Sequence, residues 1–182
     1  MNGGHDLFET IRVEGRRFVN LAAHERRMRA SRRTLYGLDE PIDLEAILPV
    51  PEHIGPSRHK CRLPYGRSIG TAELTPYIPR RIRSLRVVED PSVEYALKYA
   101  DRTSLDAAKA RSEGCDEVII ARHGLLTDTS FSNIALFDGV RWYTPDTPLL
   151  VGTARASLIE AGEIIPVRIS VPDLSRFESI SL

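Results

Sequence analysis

Residues 7–13, LFETIRV, alternate apolar and polar side chains, and a Glu-Gly pair separates them from a second run, RRFVNL at 16–21. Period-two alternation on both sides of a glycine turn predicts a β-hairpin. The period then changes. In AAHERRMRASRRTLYG (22–37), Ala23, Met28, Ser31 and Leu35 fall near one face, and Gly37 stands where a helix stop is expected. This spacing predicts a helix with a strongly basic outer surface. Residues 38–59 hold four prolines and little periodicity, which predicts loop with one short helix near DLEAIL. KCRLPYGRSIGTAELTPY (60–77) predicts a second pair of strands around a glycine-containing turn, with Pro64 suited to an edge or a strand end. IPRRIRS (78–84), with a proline and packed arginines, is a candidate linker.

The second half repeats the mixture. LRVVED (85–90) predicts a strand, and TSLDAAKARSEG (103–114) a helix with Gly114 just past its end. DEVIIAR (116–122) and LLTDTS (125–130) flank His123-Gly124, and NIALFD (133–138) and VRWYT (140–144) meet at Asp138-Gly139. Both are hairpin signals. VGTARASLIEAG (151–162) reads as a glycine turn running into a helix that stops at Gly162. Hairpins interleaved with helices predict an α+β fold with two lobes, a small N-terminal α/β lobe over 1–84 and a larger lobe over 85–182.

Composition narrows the function classes. At 182 residues the chain can bury a sizeable core. Its 25 basic and 25 acidic residues cancel, which argues against a chain-wide field for nucleic acid or an anionic membrane surface. No apolar run approaches the roughly 20 residues that span a bilayer, and MNGGHDLFETIRV lacks the pattern of a secretory signal. Cys61 and Cys115 lie far apart, with no cluster at metal-ligand spacing, so reduced thiols and no metal are expected. Together these features predict a cytoplasmic protein with no membrane or nucleic-acid partner.

Four features carry candidate chemistry, and each has an ordinary reading beside it. Only three of the 25 basic residues are lysines, Lys60, Lys98 and Lys109. Lys98, in ALKYADR, is either a surface lysine or a desolvated amine able to act as a nucleophile, which arginine cannot do. The helix HERRMRASRR is either a solvated cationic face or the source of one inward arginine that grips a phosphate. VGTAR is either a plain helix start or a backbone anion site. Asp128, in TDTSFSNIALF, is either a turn former or a carboxylate facing a basic ring nitrogen. Taken together they are a parts list for pyridoxal phosphate: a lysine, a carboxylate, an arginine and a helix N-terminus.

In this combination the chain resembles the class IV aminotransferases, the fold-type IV pyridoxal phosphate enzymes that include branched-chain and D-amino acid aminotransferases and 4-amino-4-deoxychorismate lyases. LFETIRV resembles the family's first hairpin, and HERRM (24–28) its H-x-x-R-[L/M] segment. KYADR (98–102) resembles the lysine segment, often K-x-x-N-R in the lyases. CDEVIIARHGLLTDTSFSNIALF (115–137) resembles the stretch carrying the ring-nitrogen carboxylate, and VGTAR (151–155) the phosphate turn.

The resemblance implies Lys98 as the aldimine lysine and general base. It implies Asp128 on the pyridine nitrogen, and Arg27 with backbone N–H groups at Thr153 and Ala154 on the phosphate. Arg62 and Tyr65 are candidates for a substrate carboxylate. The substrate would be a small amino-acid-like or chorismate-derived molecule, and the assembly a homodimer. The chain departs from the pattern in three ways: aspartate replaces the usual glutamate at 128, the lead-in is short, and FESISL ends before a segment that adds a phosphate contact in relatives. Transamination, pyruvate-releasing elimination and a non-catalytic binding role all stay open at this stage.

Overall fold

The computed structural model describes residues 6–48 and 54–182; the part of the proline-rich loop at 49–53 lies outside them. The chain divides into two compact units, one of Met1–Arg80 with Leu97–Asp101, the other of Arg81–Ala96 with Arg102–Leu182.

In the first unit, β1 (Leu7–Glu14) turns back into the short β2 (Arg17–Phe18) and pairs along its length with β3 (His59–Tyr65), Leu7 opposite Tyr65 and Val13 opposite His59. With β4 (Glu73–Pro76) the order is β2-β1-β3-β4, antiparallel throughout. Pro64 lies in β3 beyond the last residue paired with β4, opposite Phe8 of β1. It therefore occupies a strand end on that side, where a missing N–H breaks no ladder bond. Helix α1 (Leu21–Tyr36) covers one sheet face and stops at Gly37, whose φ of 70° is the left-handed value glycine adopts without cost. Leu7, Ile11, Val13, Met28, Leu63 and Tyr65 form the heart of this core. Leu35 is in phase with the buried stripe but 38% exposed, because it lies in the helix's last turn, past the last buried position at Ser31. A single turn, α2 (Leu44–Ile47), is capped by the Asp43 side chain.

The candidate linker at 78–84 suggests a lobe boundary at residue 84, with Lys98 in the second lobe. The backbone instead ties the Lys98 segment to the start of β1. Phe8 N–H donates to Lys98 O (3.1 Å), Ala100 N–H donates to Asp6 O (2.7 Å), and Tyr99 bridges Leu7.

In the second unit, β5 (Leu85–Glu89) runs parallel to β6 (Glu117–Arg122), reached through α3 (Thr103–Ala110), and β6 pairs antiparallel with β7 (Leu125–Thr129). Strand β6 is central and nearly continuously buried, as an apolar run without alternation requires. The β6–β7 turn has positive φ at both His123 (53°) and Gly124 (75°), the geometry of a tight two-residue hairpin.

A second sheet has the order β10-β9-β8-β11, from β8 (Ala135–Phe137), β9 (Trp142–Pro145), β10 (Ile164–Val167) and β11 (Ser179–Ser181). Helix α4 (Thr153–Glu160) precedes β10. Strands β10 and β11 have no counterpart among the elements expected from the sequence. Both are short edge strands, and IIPV contains a proline that is tolerated only at an edge. Among the described residues no helix is long and apolar enough to cross a membrane. Cys61 and Cys115 are free thiols.

Candidate active site

Alternation along β1 places Leu7, Glu9, Ile11 and Val13 on the face that α1 covers. Glu9 is therefore an acid in an apolar phase, and it is fully buried. Arg27 of α1 gives both Nε (2.9 Å) and Nη2 to its carboxylate, and His24 Nδ1 approaches Oε2 at 2.7 Å. Burial alone would push the Glu9 carboxyl up, but the His24 and Arg27 bonds and charges prevail and hold it below its ordinary value. The expected phosphate ligand Arg27 is thus anchored by Glu9, a side chain absent from the sequence-derived candidates. The signal was present, since a glutamate stands in phase with Leu7, Ile11 and Val13.

Tyr65 belongs to the same interior. It is 0% exposed, and burial next to Glu9 drives its phenol well above the usual range. Strand β3 alternates, and residue 65, a candidate for a substrate carboxylate, falls in phase with buried Cys61 and Leu63.

Arg62 falls on the opposite phase of β3, paired with Thr10. Its guanidinium carbon lies 4.0 Å from the centre of the Phe8 ring, and Lys98 Nζ lies 5.0 Å from the same centre. The first unit therefore gathers Lys98 and Arg62 on one aromatic ring, within cation–π range.

In the second unit, Asp128 on β7 is only 5% exposed. Its Oδ1 accepts from Asn133 Nδ2 (2.7 Å) and its Oδ2 from Leu150 N–H (2.9 Å). Burial pushes its carboxyl up to about 6, and the bonds from Leu150 and Asn133 only partly offset this. The turn between β7 and β8 is held by Thr129, whose Oγ1 accepts from Ser132 N–H (2.9 Å), and Arg102 Nη2 donates to Ser130 O at 2.7 Å.

Helix α4 begins at Gly152, with no side-chain cap and no acidic residue in its first turn. Thr153 is half-buried and Ala154 exposed. Arg155 secures this start to β9 by donating from Nε to Thr144 Oγ1 (3.1 Å) and from Nη2 to Pro145 O (2.8 Å). Asp128 and the α4 start are thus brought together through Leu150 and Asn133. Asn133 and Arg155 were not singled out from the sequence, because their roles depend on contacts 17 and 10 residues away.

Residues 59–182 match the amino-transferase class IV family. A protein of Haemophilus influenzae, carried as uncharacterized, is 32% identical over 180 residues, 98% of this chain and 96% of that one. A crystal structure from Haemophilus somnus 129PT, provisionally described as a 4-amino-4-deoxychorismate lyase, superposes with a TM-score of 0.88 at 32% identity, covering 98% of this chain and 94% of that one. The pyridoxal phosphate-bound form of a hypothetical aminotransferase from Mycobacterium tuberculosis has a TM-score of 0.78 at 19% identity, over 97% of this chain and 76% of that one, a likeness of fold. The α+β architecture expected from the sequence is the fold-type IV architecture, and the chain belongs to the class IV amino-transferase family.

Proposed function

We propose that the protein binds pyridoxal phosphate and moves the α-proton of an amino-acid-like substrate with Lys98. The residues present fit that cofactor by the chemistry of their donors: an amine at Lys98, a buried carboxylate at Asp128, an anchored guanidinium at Arg27, and an uncapped helix start at Thr153 and Ala154. When bound, the cofactor supplies an electron-withdrawing ring that accepts the electron pair left behind as the α-proton departs. The observation that carries the reading is Lys98 itself. Its backbone is bonded to β1 while its amine lies beside Phe8, on the segment where the family resemblance expects the cofactor lysine.

Each side chain then has one task. Lys98 Nζ would hold the cofactor by its aldehyde, and as a free amine would take up and give back the substrate's α-proton. Asp128, as a carboxylate, keeps a proton on the ring nitrogen. Arg27 and the N–H groups of Thr153 and Ala154 bind the phosphate, where the helix dipole favours an anion. Arg62, on the same ring as Lys98, binds a substrate carboxylate as a two-pronged donor.

A second reading concerns the fate of the substrate once its α-proton is gone. The likeness to the Haemophilus somnus protein over nearly the full length of both chains favours elimination, with pyruvate released from an aminated chorismate-type substrate. Transamination would instead release a keto acid by hydrolysis, the donor's amino group staying behind for a keto-acid acceptor. Incubating the cofactor-loaded protein with 4-amino-4-deoxychorismate and, separately, with an amino-acid and keto-acid panel decides between them. Pyruvate from the first alone supports elimination, amine exchange in the second supports transamination, and neither product removes the catalytic reading.

A further inference from the structure

Asn133 stands where two parts of the proposed site meet. Its Nδ2 donates to Asp128 Oδ1 (2.7 Å) and to Leu150 O (2.8 Å), while Leu150 N–H donates to Asp128 Oδ2 (2.9 Å). These three bonds close a loop that joins β7 to the turn opening α4. Two residues further on, a methyl group built on Gly152 would overlap Asn133 Oδ1. Gly152 has φ −70° and ψ 143°, values that any residue adopts. A side chain at 152 would therefore have to displace the Asn133 amide, while the backbone conformation itself would accept it.

The chemistry of the position is restrictive. It needs an N–H₂ group that serves a carboxylate and a carbonyl at once, on a side chain short enough to leave Gly152 against it. Aspartate at 133 would set two carboxylates together. An aliphatic side chain would remove a donor from both Asp128 and Leu150, next to a carboxylate that is only 5% exposed.

We propose that Asn133 is a positioning residue that locks the Asp128 carboxylate and the Leu150–Thr153 turn into one rigid piece, so that the ring-nitrogen contact and the phosphate contacts are set together. The inference rests on the cofactor reading above. It assigns to one amide a joint effect on both ends of the ligand, which a residue that merely shaped its own turn would not have.

The test titrates three probes, pyridoxal phosphate, unphosphorylated pyridoxal and inorganic phosphate, into the wild type, Asn133→Ala, Gly152→Ala and the double variant. Removing a charge-assisted bond and a neutral one is expected to weaken pyridoxal phosphate about tenfold or more, with both partial probes weakened as well. Gly152→Ala should displace Asn133 and reproduce these losses. In the double variant the space is open, so the second substitution should add little to the first. Loss confined to one partial probe, or losses that simply add, would overturn the proposal. Hydrogen exchange at the Leu150 amide, measured without ligand, reads the lock directly: it should quicken in both single variants, and unchanged exchange in either counts against it. If Asn133→Ala does not fold, Gly152→Ala carries the test. Failure of the cofactor reading looks different, because the wild type itself would then bind no pyridoxal phosphate while the exchange data still judge the lock.

Discussion

Two buried carboxylates have opposite titration behaviour, and the difference assigns their tasks. Glu9 is held below its ordinary value by His24 and Arg27, so it stays ionised as a fixed anchor. Asp128 is raised to about 6 by burial, which places it close to the pH at which it must be charged to hold a proton on a ring nitrogen. Because its folded value lies above its unfolded one, Asp128 favours the folded state fully below about pH 4, and that contribution is lost as pH rises through about 6. The shift corresponds to about 3 kcal/mol at most. In the ligand-free protein, Asp128→Asn should therefore flatten the fall in urea-midpoint stability between about pH 4 and pH 6; a slope equal to that of the wild type refutes the assignment.

Arg27 and α1 show how one residue governs an element. The helix docks on β1 through its buried residues Ala23 and Met28, and through an ion pair between the part-buried Arg27 and the fully buried Glu9. Breaking one side of a buried pair typically costs about 3–5 kcal/mol, because the other charge stays desolvated. Glu9→Gln should lower unfolding stability on that scale, as read by chemical denaturation. A loss near zero would mean that the Arg27 orientation does not depend on Glu9. At the β6–β7 turn, Gly124 has φ 75° and open space around it. Gly124→Ala should therefore cost about 1 kcal/mol from backbone conformation alone, and a stabilised variant would show that the turn relaxes.

The same physics decides how far these elements are legible in the chain. The hairpin at His123-Gly124, the helix stop at Gly37 and the alternating β1 are local, so residue order alone predicts them. Strands β10 and β11 are held by partners elsewhere in the chain and carry almost no local signal. Of the candidate site, Lys98, Asp128 and Arg27 are proposed through the family resemblance. The burial of Tyr65 follows only once its strand phase is matched to Cys61 and Leu63. Glu9 escapes notice for the same reason, while Asn133 is visible only once Leu150 and Gly152 are seen beside it.

For the whole molecule, membership of the class IV amino-transferase family implies an enzyme of small-molecule substrates. The central claim is that one particular amine carries the cofactor, and the scarcity of lysine makes it unusually clean to examine. Besides the N-terminus, only Lys60, Lys98 and Lys109 have amines. The direct measurement is borohydride reduction of the protein saturated with pyridoxal phosphate, followed by peptide mapping. One cofactor mass is expected on the peptide containing Lys98, and none in Lys98→Ala. A label on Lys60 or Lys109, or no stable label on the wild type, would contradict it.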